Sequence, residues 1–119
     1  MSREYCDFVL DLLLPLGGVS ARRMFGGFGL FKSGLMFGII IDDVLYFKTG
    51  GSNRAAYEAA GTEPFRYAAK GKSVTLSYWS VPAEVLDDSD AALAWADKAC
   101  RAARQAKDGM PKRKSAGRK

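Results

Sequence analysis

Histidine is absent from this chain of 119 residues. That absence excludes imidazole acid–base chemistry, Ser-His and Cys-His nucleophile pairs, and most zinc sites. Cysteine is scarce, with Cys6 and Cys100 the only two thiols. Far apart in a chain without an export signal, they read as reduced, buried side chains and not as a disulfide. No apolar run approaches the roughly 20 residues that a membrane-spanning helix needs. The start reaches acids at Glu4 and Asp7 before any apolar stretch develops, unlike the basic start and apolar core of a secretory signal. The expected location is cytoplasmic, with no membrane partner.

What is present suffices for one domain. The hydrophobic share of 48% supports a real core at this length. The net charge of +5, from 18 bases against 13 acids, is unevenly distributed. Lys112, Arg113, Lys114, Arg118 and Lys119 fall in residues 110–119 without a single acid, so the other 13 bases balance all 13 acids. Residues 1–109 are therefore neutral, and the expected organisation is a folded body over 1–107 and a disordered basic tail over 108–119. Such a tail attracts nucleic acid electrostatically and non-specifically, or serves only solubility.

Tyr5, Phe8, Val9, Leu12, Leu13 and Leu16 recur at helical spacing, which predicts a helix over 2–14 capped by Ser2 and ended by Pro15 and Gly17-Gly18. From Val19 the pattern changes to short apolar runs divided by Gly26-Gly27, Ser33-Gly34 and Asp42-Asp43. Each divider suits a two-residue hairpin turn, so strands are expected over 19–25, 28–32, 35–41 and 44–48 as an antiparallel meander. A short helix from Arg54 to Ala60, capped by Ser52 or Asn53, is followed by an extended segment at Pro64. Phe65 and Tyr67 lie on one side of that segment and Arg66 on the other. A strand over Ser73–Val81 and a helical piece ending near Leu86 come next. The last helix opens on Asp87, Asp88 and Asp90 and carries Lys98, Arg101, Arg104 and Lys107 in its later turns, a distribution that complements the helix dipole.

Strict alternation in the third strand places Leu35, Phe37, Ile39 and Ile41 on one face, with Met36, Gly38 and Ile40 on the other. A strand apolar on both sides is expected in a sheet covered on both sides. Either a helix lies on each face, or one face meets a second subunit or another partner.

Motifs with a chemical reading mostly dissolve in context. Gly26-Gly27-Phe28-Gly29 sits between two strands and not before a helix, so it reads as a hairpin turn and not as a dinucleotide loop. Gly71-Lys72-Ser73 matches the end of a P-loop, but Arg66 stands where the first glycine belongs and a strand follows. Asp42-Asp43 reads as a turn, and no metal or cofactor is expected. Phe28, Phe31, Phe37, Tyr46, Tyr67, Tyr78 and Trp79 read mainly as a sheet core, with a nucleic-acid stacking surface as the alternative.

At Arg22-Arg23-Met24-Phe25-Gly26-Gly27 the chain resembles the TfoX/Sxy N-terminal domain family. The resemblance runs through Gly34-Leu35-Met36-Phe37, Leu45-Tyr46-Phe47-Lys48, Pro64-Phe65-Arg66-Tyr67, Lys70-Gly71-Lys72 and Ser77-Tyr78-Trp79, and covers about residues 4–105. It implies an α+β fold of two layers with an antiparallel sheet. The resemblance further implies that longer relatives carry a second, C-terminal domain and promote transcription of DNA-uptake genes; here the domain is expected to be followed by the basic tail. The resemblance carries no catalytic residue, and none is expected. Arg22, Arg23, Lys48, Lys70, Lys72 and Tyr78 are the candidate macromolecule-binding surface of a regulatory or adaptor module. The expected partner is a protein, possibly a second copy as a homodimer; nucleic acid at the tail is the alternative. An enzyme or small-molecule binder would instead need a pocket placing Cys6, Cys100 or a lysine beside a base.

Overall fold

The computed structural model describes residues 3–24 and 26–109. The expected Ser2 cap, Phe25 and residues 110–119 of the basic tail lie outside the described residues, whereas residues 108–109 of that expected tail continue the last helix. Helix α1 (Arg3–Leu12) leads through a 3-10 turn (Leu14–Leu16) into strands β1 (Val19–Met24), β2 (Gly27–Lys32), β3 (Leu35–Ile41) and β4 (Val44–Lys48). Helix α2 (Arg54–Ala60), strands β5 (Pro64–Ala69) and β6 (Lys72–Ser80), and helices α3 (Ala83–Leu86) and α4 (Ser89–Gly109) complete the order. The six strands form one antiparallel sheet in the order β1-β2-β3-β4-β6-β5. The chain is an α+β fold of two layers, as its sequence leads one to expect.

Three turns have positive φ at both central residues: Ser33-Gly34, Asp42-Asp43 and Lys70-Gly71. This backbone matches the right-handed twist of the strands it joins. The β1–β2 turn falls one residue earlier than Gly26-Gly27. Gly26 has φ +75°, whereas Gly27 already pairs with Met24 inside the sheet. Gly27 is required for space: a Cβ there would lie 2.0 Å from the Ile40 carbonyl oxygen.

The third strand corrects the expected division of faces. Leu30 pairs with Gly38 and Phe31 with Met36, so Phe37 is an extra residue without a cross-strand partner. This bulge resets the alternation. Leu35 and Phe37 join Ile40 on one side; Phe37 meets Phe47 there, ring centroids 5.9 Å apart. Ile39 falls on the other side, fully buried yet outside the main core cluster.

That core cluster holds Phe28, Leu30, Leu45 and Phe47 of the sheet, Cys6, Val9 and Leu13, Tyr57 of α2, and Ala92, Ala96 and Ala99 of α4. The small alanines bring the α4 backbone close to the strands, and Trp95 of α4 meets Tyr57 edge-on at 4.7 Å. Helices α1, α2 and α4 all contribute to this one side. Of the two alternatives for a sheet apolar on both sides, a helix on each face is the one the fold does not take: among the described residues, the opposite face carries no helix. Asp88 caps α4, its Oδ1 accepting from the backbone N–H groups of Asp90 and Ala91 at 3.0 and 3.3 Å. Asn53 precedes α2 but does not cap it with its side chain. Its Oδ1 accepts from Gly50 N at 2.7 Å and its Nδ2 donates to the Lys48 carbonyl at 3.1 Å, tying the end of β4 to the following loop.

Candidate interaction surface

The helix-free face is built by cross-strand register. Arg22, Gly29, Ile39, Tyr46 and Ser80 follow one another across β1, β2, β3, β4 and β6. The neighbouring row carries Ser20, Phe31, Met36, Lys48 and Tyr78; Phe31 faces Met36, and Lys48 faces Tyr78. Gly29 leaves room over the sheet that side chains fill: a Cβ there would meet Met24 Sδ at 2.6 Å, Met36 Sδ at 2.9 Å and Phe31 Cε1 at 3.1 Å. Two thioethers and a ring thus cover the strand backbone, and flexible methionines suit an irregular gap of this kind. On the far strands Phe65 meets Tyr46 edge-on at 5.2 Å and stacks with Tyr67 at 6.1 Å. Val44 and Tyr67 remain exposed beside them.

Two cations of the candidate set stand on this face. The Arg22 guanidinium lies 4.6 Å from the Phe31 ring centroid. Lys48 Nζ donates to Ser77 Oγ at 2.6 Å and sits 5.2 Å from the Tyr78 ring centroid. Among the described residues, neither joins an ion pair; the pairs present are Arg3–Asp7, Arg54–Glu58, Arg66–Glu63 and Arg101–Asp97. Burial lowers the Lys48 pKa below the ordinary lysine value. Tyr78 donates from its hydroxyl to the Met36 carbonyl at 2.9 Å, and burial pushes its pKa up to about 12. Tyr78 therefore braces the face as a neutral hydrogen-bond donor.

The other candidates are elsewhere. Arg23, one residue after Arg22, points to the helix side, with its guanidinium 5.0 Å from the Phe28 ring centroid. Lys70 and Lys72 lie at the tip of the β5–β6 hairpin. Lys112, Arg113, Lys114, Arg118 and Lys119 lie outside the described residues. The aromatic set divides as well: Phe28, Phe37 and Trp79 belong to the helix side, whereas Phe31, Tyr46, Tyr67 and Tyr78 line the helix-free side. Met24 and Met36 were not among the expected surface residues. The bulge that puts Met36 on the same side as Ile39 has no marker in the sequence beyond a glycine next to Phe37.

The thiols show no activation. Cys6 and Cys100 are both free and buried. Burial raises both, Cys100 to about 11, which is the reverse of what a nucleophilic cysteine needs. Among the described residues, no group of three or more Cys, Asp and Glu side chains is placed to hold a metal ion, and no helix is long and apolar enough to cross a membrane.

Comparison with known proteins shows the family. Residues 11–103 match the family model described as the TfoX N-terminal domain. Over 71 residues the chain is 37% identical to the DNA transformation protein TfoX1 of Aliivibrio fischeri, an alignment covering 60% of this chain and 34% of that protein. The matched segment thus spans about a third of the relative's length.

Proposed function

Because this chain belongs to the TfoX N-terminal domain family, we propose that it is a non-enzymatic regulatory or adaptor module of the cytoplasm. It acts by binding another macromolecule through the helix-free face of its sheet. The observation that carries this reading is the combination on that face of apolar and aromatic side chains with two cations, Arg22 and Lys48, that meet no carboxylate among the described residues. An apolar field rimmed by unpaired positive charge suits a protein surface with acids around an aromatic or aliphatic centre, since rim charges steer encounter and the apolar centre supplies affinity. A relative named as a DNA transformation protein supports looking for that partner among the components of DNA transformation.

Site-specific photo-cross-linking tests the reading. A photoreactive residue at Val44, on this face, is expected to capture a partner or a second copy in cells, and one at Ala94, on the exposed side of α4, is not. Arg22→Ala and Lys48→Ala are expected to weaken the Val44 cross-link without changing thermal stability. Equal capture at both positions, or none at Val44, would remove the sheet face as the binding surface.

A further inference from the structure

The β5–β6 hairpin reaches beyond the sheet. Strand β4 pairs with β6 only from Tyr46↔Ser80 to Lys48↔Tyr78, after which Thr49 N donates to Ser77 O and the chain leaves for α2. Past that point, β6 has only β5 as its neighbour, through Arg66↔Thr75, Tyr67↔Val74, Ala68↔Ser73 and Ala69↔Lys72. Arg66, Tyr67, Ala68, Lys70, Gly71, Lys72, Ser73 and Thr75 are all exposed. From Thr75 to the tip the ribbon extends about 16 Å at the usual rise per residue.

Its charge is of one sign. Between Glu63 and Glu84 the chain has three bases, Arg66, Lys70 and Lys72, and no acid. Register places Arg66 and Lys72 on opposite faces of the ribbon, with Lys70 at the end. The pair Ala68↔Ser73 keeps one face thin between them. The turn itself does not call for the tip cation. Lys70 has φ +53°, a left-handed conformation that Asn, Asp and Gly adopt with less strain, and the other two turns of this kind use Ser-Gly and Asp-Asp.

We infer that this hairpin is an arm for double-stranded nucleic acid, laid into the major groove with Lys70 and Lys72 against the flanking phosphates. The major groove of B-form DNA, roughly 12 Å wide and 8.5 Å deep, admits a two-stranded ribbon. Lys72 on one ribbon face, Lys70 at the tip and Arg66 on the other face, where its exposed pair with Glu63 at 3.5 Å leaves it open to solvent, match phosphates on both groove walls. An acidic protein would need charge on one side only, and a single strand would need bases stacked on aromatic rings. The cations of the arm, Lys70 and Lys72, are not those of the sheet-face reading, Arg22 and Lys48, so either can fail alone.

The test is fluorescence anisotropy of the full chain on a labelled duplex across a salt series starting near 50 mM. Three variants accompany it: Lys70→Gln with Lys72→Gln; glutamine at all five tail bases; and Tyr67→Ala. Losing two phosphate contacts is expected to lower the salt slope by about 2 and to weaken binding at least tenfold at low salt. The tail variant is expected to retain duplex binding that still depends on Lys70 and Lys72. Because both lysines are exposed, the melting temperature of their variant is expected to match that of the parent. An unchanged salt slope in the lysine variant overturns the proposal, as does a parent chain that binds no duplex at low salt. Equal displacement by polyglutamate, or tighter binding to a single strand that Tyr67→Ala abolishes, assigns the arm to another partner and overturns it as well.

Discussion

The two faces of the sheet are equally rich in large apolar side chains and are covered by different means. On one, Phe28, Leu30, Leu45 and Phe47 are sealed by helices whose alanines let the backbone approach closely. On the other, the side chains of Met24, Phe31 and Met36 lean over Gly29 and cover the strands themselves, and Ile39, the cross-strand partner of Gly29, is fully buried although no helix among the described residues lies on that face. The difference separates burial from tertiary packing. A face whose covering side chains belong to the sheet can remain open to a partner, because docking there disturbs no element of the fold.

The comparison is broken most severely by substitution on the sealed side. Phe47→Ala is expected to cost about 3–5 kcal/mol in chemical denaturation, the range for a buried aromatic ring. Phe31→Ala on the open side, where the ring is only half-buried, is expected to cost under about 2 kcal/mol. Equal losses would show that the open face is sealed in solution. Glycine substitution sharpens the contrast between space and conformation. Gly27→Ala forces a Cβ onto the Ile40 carbonyl and is expected to cost about 3 kcal/mol. Gly26→Ala meets no atom within 4 Å and is expected to cost about 1 kcal/mol for its positive φ.

Smaller effects distinguish the two buried tyrosine hydroxyls. Tyr78→Phe removes the 2.9 Å bond to the Met36 carbonyl and is expected to cost about 1 kcal/mol. It should also alter the alkaline limb of the stability profile. The folded state holds the Tyr78 proton up to about pH 12, whereas the unfolded chain releases it near the ordinary value of 10.0. The resulting stabilisation is complete below pH 10 and is lost as pH rises through 12, so the parent should lose stability over that window more steeply than the variant. Tyr57→Phe is the smallest change. Among the described residues, the Tyr57 hydroxyl is buried with no hydrogen-bond partner. Its removal is expected to be neutral or to stabilise by up to about 1 kcal/mol. A clear loss of stability in that variant would show that ordered water satisfies the hydroxyl.

The element order was legible because the chain punctuates it with local chemistry. Ser33-Gly34 and Asp42-Asp43 announce turns at the residues where they occur, and the acids at 87–90 announce the start of α4. Faces were harder to read. Alternation through Leu35–Ile41 put Phe37 and Ile39 together, and only the pairing of β3 with β2 shows that a bulge separates them. The candidate cations illustrate the same limit. Arg22 and Arg23 are adjacent in sequence yet serve opposite sides of one strand. Lys48 and Tyr78 lie 30 residues apart and stand side by side, because β6 returns along β4 after the intervening helix. Cross-strand neighbours depend on register, which no single segment encodes.

The extra residue at Phe37 has a consequence for where this chain can change in length. Met36 and Gly38 already pair with consecutive residues of β2, so the strand is two regular halves joined by a spare link. Excising Phe37 would leave every remaining side chain on its present side of the sheet, whereas excising Ile39 would invert those on one side of the cut. The first deletion leaves a hole beside Phe47; the second misaligns a strand. One position in this sheet therefore tolerates a change in length as a packing problem, while its neighbours experience the same change as an error of frame.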